Sequence, residues 1–394
     1  MNSERPTDNT NGENPETPSV TSERRSLRLA TFNAGLAVGL IEHAAERTPY
    51  VVEALGRDSL DVLCVQEFWL DEHWKQLLGV VGSKLPHRLR PPASGGYGHT
   101  PCTEREIAPV AACVERHCAA AGPSELALCA VRHCMNLAGG LSSACRSCLS
   151  RDPLRGSKEI LAECVQVTPG RAAPGARAAG RSSRHSAEPS SYFYGGSFGI
   201  GLLTKDRIER ADVLRMPSTQ HPRAVLYARI ETPLIEDLHV FCTHLTPVLR
   251  SVPYPGRGSW QEEQSQQVNA MLSFIEQKTS AGDAVVVLGD LNCGPGLGAG
   301  IAARMPEHYE RFIERGFRNR YFESKNPECT FCYSNSLSGS GSGGILIDHI
   351  LTRGIALPAR AQRTLDTPLV IAGASRRVRT AFSDHYGLVL ELGQ

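Results

Sequence analysis

The sequence predicts an α/β layered protein, and three observations carry that reading. Apolar runs of strand type recur between residues 27 and 392. Segments of helical spacing lie between many of them, the alternation expected of helices packed on sheets. The runs also end, one after another, in Asn, Glu, His or Asp. With 394 residues and 41% apolar content the chain can build a substantial core, as one large domain or two ordinary ones. A net charge of +1 supplies no global field to gather nucleic acid or an acidic membrane. No stretch reaches the about 20 apolar residues of a transmembrane helix.

In order, residues 1–26 are charged and proline-containing without an apolar centre, a disordered leader rather than a signal peptide. "LRLATFNAG" (27–35) is a strand ending at Asn33. Residues 36–57 have helical spacing, with Thr48 and Pro49 as cap and first-turn proline of a second helix. "LDVLCVQEFW" (60–69) is a buried strand ending at Gln66 and Glu67, after which the chain turns loop-like through "PPASGGYGHT". Residues 102–164 are Ala-rich, helical and Cys-rich, and residues 165–191 form a Pro/Gly/Ala/Arg linker. Strands resume with "SFGIGLLTK" (197–205), "RAVLYARI" (223–230) and "LHVFCTHL" (238–245). Ser259 and Glu262 have capping-box spacing and open a helix with Val268, Met271, Leu272 and Ile275 on one face. "AVVVLGDLNCGPG" (284–296) runs into Asp290 and Asn292; a helix near 306–315, a Ser/Gly loop, "ILIDHILT" (345–352) and "FSDHYGLVLEL" (382–392) follow.

A carboxylate at one strand end commonly caps a turn. Repetition at Asn33, Glu67, His244, Asp290/Asn292, Asp348 and Asp384/His385 asks for another explanation. Strand ends are rigid enough to hold reacting groups in place. The residue types suit phosphate-ester hydrolysis: hard oxygen ligands for Mg²⁺, and two imidazoles able to move protons near neutral pH. Asp348 is placed to fix the tautomer of one histidine. No serine or cysteine has a nucleophile's setting, so water is the expected attacker.

"TFNAG", "VQE", "GIGLLTK", "THL", "GDLN", "IDHIL" and "SDHYG", in this order, resemble the endonuclease/exonuclease/phosphatase superfamily. The match covers residues 27–101 and 192–394, leaving the Cys-rich helical segment 102–164 and the linker as an insertion. The resemblance implies a four-layer α/β sandwich, two packed mixed β-sheets flanked by helices, with the site at one edge. It implies Glu67 as principal metal ligand with Asn33 beside it and Asp384 on the metal side. His244 is the histidine at the scissile phosphate, Asp290 and Asn292 position water and phosphate, and Asp348 partners the second histidine, His385. Lys205 matches a common family lysine but reads equally as a surface residue. The implied cofactor is Mg²⁺, with Mn²⁺ or Ca²⁺ as alternatives.

Three substrate classes compete. The inositol polyphosphate 5-phosphatase branch carries a Cys-Asp-Arg near Asp348, where this chain reads "LIDHIL". A nuclease needs cations and aromatic rings beside the site, and Arg250, Arg257, Tyr254 and Trp260 are candidates. "SYFYGGSFGIGLLTK", "THLTP" and "GDLNCGPG" look more like the neutral sphingomyelinase branch. A phospholipid phosphodiesterase with peripheral membrane contact is therefore the expectation, and a DNase I-like endonuclease the alternative. A non-catalytic binding module would have lost a ligand or a histidine, and none is lost here.

Thirteen cysteines complete the reading, eight of them from Cys102 to Cys164. "CVERHC" and "CAVRHC" form a short repeat too small to bury its own core, which calls for staples. The expected bridges are Cys102–Cys113, Cys118–Cys129, Cys134–Cys145 and Cys148–Cys164, out of 105 pairings that eight cysteines allow. His117 and His133 leave zinc open. Cys64, Cys242 and Cys293 read as small buried hydrophobes, and Cys329/Cys332 as a local disulfide or incidental pair. A disulfide-rich insertion places the protein outside the cytoplasm, against the missing signal peptide, which leaves the cytoplasm open.

Overall fold

The computed structural model describes residues 26–92, 102–134, 194–219, 221–249, 258–298, 300–323, 327–372 and 377–393. Leu137, Gly140, Leu141, Ser142, Cys145, Leu149, Cys164 and Tyr254 are described singly. The leader up to residue 25, the linker 165–191, Cys148, Arg250 and Arg257 lie outside the described residues.

The first sheet is built from β1 (Leu27–Asn33), β2 (Val62–Gln66), β3 (His87–Leu89), β4 (Gly201–Thr204), β14 (Ala359–Thr364) and β17 (Gly387–Leu392), in the order β14-β17-β1-β2-β4-β3. The second contains β5 (Ile208–Met216), β6 (Arg223–Ile230), β7 (Leu238–His244), β8 (Ala284–Asp290), β10 (Arg318–Asn319) and β13 (Asp348–Arg353), in the order β10-β13-β8-β7-β6-β5. Both sheets are mixed, with β1 parallel to β2 and β7 parallel to β8. Smaller pieces are β9 (Ile301–Ala302), β11 (Phe331–Cys332) and β12 (Gly344–Ile345) in one sheet, and the hairpin β15 (Leu369–Ala372) with β16 (Arg377–Thr380).

Side chains alternate across each strand, and that sorts the cores. Val286 and Leu288 join Leu29, Val62, Leu226 and Val240 between the sheets. Val285 and Val287 face outward onto Met271 and Ile275 of α5 (Trp260–Lys278) and Phe312 of α6 (Pro306–Ile313). Phe32, Leu63 and Val65 pack against Val51 and Leu55 of α1 (Ala44–Arg57) and Trp74 and Leu77 of α2 (Asp71–Val81). The result is the four-layer sandwich.

Several expectations need correction. The first helix is α1 alone; Thr48 lies inside it, its hydroxyl donating to the Ala44 carbonyl at 2.8 Å, and Pro49 is accommodated within. The segment after Glu67 is not a loop throughout, because Trp74, Leu77 and Val81 give α2 a buried face among polar neighbours. The expected Ser259 cap, by contrast, is present: its hydroxyl accepts from the Glu262 amide at 3.1 Å and opens α5.

The cysteines depart most from expectation. Cys64 and Cys242 are not merely small hydrophobes but a disulfide between β2 and β7, while Cys293 is a buried free thiol and Cys329 bonds Cys332. In the Cys-rich segment, α3 (Glu104–Cys118) and α4 (Pro123–Cys134) form a hairpin with nested bridges Cys113–Cys134 and Cys118–Cys129, beside Cys102–Cys145. Of the expected ladder Cys118–Cys129 is present, because that interval spans the turn, while Cys102–Cys113 and Cys134–Cys145 are replaced, and the expected Cys148–Cys164 pair includes Cys148, which lies outside the described residues. Cys102 and Cys113 sit on one helix and its flank, about 16 Å apart at about 1.5 Å per residue, beyond the about 7 Å a disulfide tolerates. In an antiparallel pair a step of five residues down α3 is matched by five up α4, which selects Cys134 for Cys113. Cys164 is also disulfide-bonded. These bridges leave the repeat's four cysteines unavailable to zinc. Non-reducing peptide mapping is expected to recover the nested pairs; Cys102 joined to Cys113 would overturn this register.

Candidate active site

Strand register brings the polar ends together. Parallel pairing sets His244 of β7 level with Asp290 of β8, and antiparallel pairing sets Asp348 of β13 level with the same Asp290. Three polar residues therefore stand at one height on adjacent strands of the second sheet. Gly289 precedes Asp290 with φ of 149°, and a side chain there would run into the Thr243 carbonyl, so only glycine permits this approach. The first sheet contributes Asn33 from β1, Glu67 after β2, and Asp384 and His385 before β17.

Asn33 joins the two sheets: its Nδ2 donates to Asp290 Oδ2 at 3.0 Å and to Glu67 Oε1 at 3.3 Å. His385 is the other link, with Nδ1 2.8 Å from Asp348 Oδ2 and Nε2 3.8 Å from Asp290 Oδ2. His244 Nε2 lies 3.5 Å from that same Asp290 oxygen. Asn292, at φ 49°, donates its amide N–H to Asp290 Oδ1 at 2.9 Å and its side-chain amide to the Leu245 carbonyl at 3.0 Å. Gln264 of α5 ties these loops from behind, donating to the carbonyls of Thr246 and Asn292. Glu67 holds a left-handed backbone, φ 62°, uncommon for a residue of its kind.

The electrostatics separate the groups. Burial would lower His385, but Asp348, Asp290 and Asp384 outweigh it and hold this imidazole well above its ordinary range. His244 moves the opposite way, lowered by burial and then by Arg223 and His385. Burial, then Asp348, pushes Asp290 up to about 7. Glu67 is raised by burial and then by Asp384.

The donor set fits a hard divalent cation on the Glu67 side. Asp384 is close enough to Glu67 to raise the cost of ionising it, after the larger effect of burial, and Asn33 adds an amide. A second cluster, Asp290, Asp348 and His385, has its ligand atoms within 4.8 Å of one another. There the imidazolium already supplies positive charge, so that cluster reads as proton-handling machinery.

Sequence reasoning missed three neighbours. Arg223, the first residue of β6, is buried with Nε and Nη1 unpartnered, and its charge acts on Glu67 and Asp290. Trp69 donates to Glu67 Oε2 at 3.4 Å and stacks on Tyr194 at 5.3 Å, with His221 tilted against it at 4.5 Å. Arg47 of α1 donates to carbonyls on both sides of the site. Only Trp69, two residues from Glu67, carried a hint of its place. Lys205 is not brought in; its half-exposed ammonium lies 3.7 Å from Asp61. Nor do Tyr254 and Trp260 offer open stacking faces: Trp260 is buried against Tyr254, whose hydroxyl donates to Glu263.

A family model described as "Endonuclease/Exonuclease/phosphatase family" matches residues 30–385. No curated protein matches the sequence. Among solved structures, SmcL is similar at 12% identity and TM-score 0.53, over 94% of this chain and 99% of that one. Sphingomyelinase C from Streptomyces griseocarneus matches at 15% identity and TM-score 0.52, over 94% and 99%. Beta toxin from Staphylococcus aureus matches at 13% and 0.52, over 92% and 99%. At identities this low, the structural likeness shows a shared fold alone.

Proposed function

Because this chain belongs to the endonuclease/exonuclease/phosphatase family, whose members are phosphoester hydrolases, we propose that it is a divalent-metal-dependent phosphodiesterase acting by water attack. The observation that carries the reading is the meeting of Asp290 with both histidines and with Asn33, across two sheets. Asp290 takes the proton of the attacking water, and Asn292 helps to fix water and phosphate. His385, held charged by Asp348, donates to the phosphoryl oxygens as negative charge builds. His244, kept neutral by burial, hydrogen-bonds the scissile phosphate on the leaving-group side. The unpartnered guanidinium edge of Arg223 suits a phosphate oxygen. Glu67, with Asn33 and Asp384, would hold Mg²⁺, which when bound polarises a phosphoryl oxygen.

A phospholipid head-group ester is the favoured substrate, and a nucleic-acid strand the second reading. The motif likeness to sphingomyelinases supports the first, as does the neutral chain; a sphingomyelinase among the similar folds agrees with it. Residues 102–164 are read as an insertion, since β3 and β4, which flank it, are neighbours in one sheet. The disulfides support an oxidising, extracytoplasmic location. No helix of the described residues is long and apolar enough to cross a membrane.

The test is one panel with purified protein and Mg²⁺: sphingomyelin vesicles, plasmid DNA and bis-p-nitrophenyl phosphate. Cleavage of the small diester and of sphingomyelin is expected, abolished by EDTA and restored by Mg²⁺. Activity that survives chelation would overturn the metal role. Nicked plasmid with intact sphingomyelin would replace the lipid reading by the nuclease one.

A further inference from the structure

The two sheets each bring half of the site, so its geometry depends on how they stand to one another. Packed sheets ordinarily lie about 10 Å apart, held by side chains that can repack. The central strands of this pair approach more closely than that, and at one point among the described residues the approach is covalent: the Cα atoms of Cys64 and Cys242 are 5.6 Å apart and joined by a disulfide. Cys64 lies in β2, three residues before Glu67, and Cys242 in β7, two residues before His244. Cys242 and His244 thus share one face of β7, a single pleat step apart. Both cysteines are fully buried. Gln66, between Cys64 and Glu67, donates from Nε2 to Thr31 of β1 at 3.1 Å and approaches Cys64 Sγ at 2.9 Å.

We propose that the Cys64–Cys242 disulfide is a positioning element of the active site, fixing the gap between the sheets on β2 three residues before Glu67 and on β7 two before His244. The non-covalent ties above it, Asn33 to Asp290 and His385 to Asp348, close only if that gap is set. No apolar pair reproduces the spacing: two valines overfill a 5.6 Å Cα separation, and two alanines leave it unpinned. A purely structural role predicts something different. Crosslinking residues 178 apart restricts the unfolded chain and so raises stability, wherever in the sandwich the bond lies.

The experiment compares the full-length Cys64→Ala/Cys242→Ala protein with wild type. A Cys118→Ala/Cys129→Ala protein, lacking a hairpin bridge, controls for loss of a disulfide as such. All are studied at a temperature where near-ultraviolet circular dichroism shows each folded. The kinetic arm rests on the phosphodiesterase reading: kcat on bis-p-nitrophenyl phosphate is expected to fall about tenfold or more, KM changing much less, because small misplacements weigh on the chemical step. The second arm needs no turnover. Amide hydrogen exchange is expected to quicken about tenfold at 66–69, 243–247 and 290–293, and to stay unchanged at 27–31 in the centre of the first sheet. Unchanged kcat with unchanged exchange, or exchange that quickens evenly through both sheets, would overturn the proposal. Absence of turnover in wild type would count against the proposed function, and the exchange arm would still decide this one.

Discussion

Asp290→Asn is expected to lower kcat on a simple phosphodiester by about 10³-fold or more while the protein stays folded. The substitution keeps the shape and replaces by an amide the carboxylate whose Oδ2 accepts from Asn33 Nδ2 and faces both histidines at Nε2. Loss of proton abstraction, typically worth about 10²–10⁴-fold, combines with misorientation of the neighbours. The pH dependence provides a sharper reading. Burial, then Asp348, pushes Asp290 up to about 7, so its base form appears as pH rises through that value. His385, held well above its usual range by its carboxylates, stays charged over the same interval. Wild-type activity is therefore expected to climb through about pH 7, and the residual activity of the Asn variant to lack that climb. A variant with near-wild-type kcat, or one that keeps the same acid limb, would remove Asp290 from the role of base. Steady-state kinetics across pH, with circular dichroism as the folding check, decides the matter.

The strand ends show why part of this site could be read in the sequence. An apolar run that stops at Asp290 or Glu67 announces a rigid terminus with a polar group on it, and that information is local. What the sequence withheld is register. That His244, Asp290 and Asp348 share one level follows from β7, β8 and β13 being neighbours, and no short window encodes neighbourhood. Arg223 was missed for the same reason: an arginine opening a strand gains chemistry only when folding buries it facing acids. The bridge from Cys64 to Cys242 connects residues 178 apart, and each cysteine alone sits in a run that any small hydrophobe would suit. α2 escaped notice because Lys75 and Gln76 dilute its buried positions, though Trp74, Leu77 and Val81 keep helical spacing. β5 mixes charged and apolar residues without regular alternation at a sheet edge, where a strand need not be apolar throughout.

Arg47→Met is expected to destabilise the protein by about 3–5 kcal/mol and to lower activity as well, although Arg47 touches no expected substrate position. The side chain is fully buried on α1. Its guanidinium donates to the carbonyls of Glu42, Ala34, Gly35 and Phe382, the last two at 2.5 Å. Ala34 and Gly35 follow Asn33, and Phe382 lies two residues before Asp384 and three before His385. One planar group thus ties together the two chain segments that complete the first sheet's half of the site. Gly35 shows how close they come: at φ 54°, a side chain there would collide with the Asp384 carboxylate. Methionine fills a similar volume, so packing is largely kept, and what is lost is hydrogen bonding to these carbonyls, fully buried for Ala34 and Gly35 and partly so for Glu42 and Phe382. Each buried carbonyl left unpaired costs about 1–3 kcal/mol, which sets the scale of the whole. Lysine keeps the charge but cannot reach carbonyls on several sides, so Arg47→Lys is expected to recover only part of the loss. Urea denaturation measures this directly, as a lowered midpoint at unchanged slope. A Met variant as stable as wild type would mean the carbonyls find other donors. An unstable variant with full activity in its folded fraction would mean that Arg47 supports the fold without aligning Asn33 with Asp384.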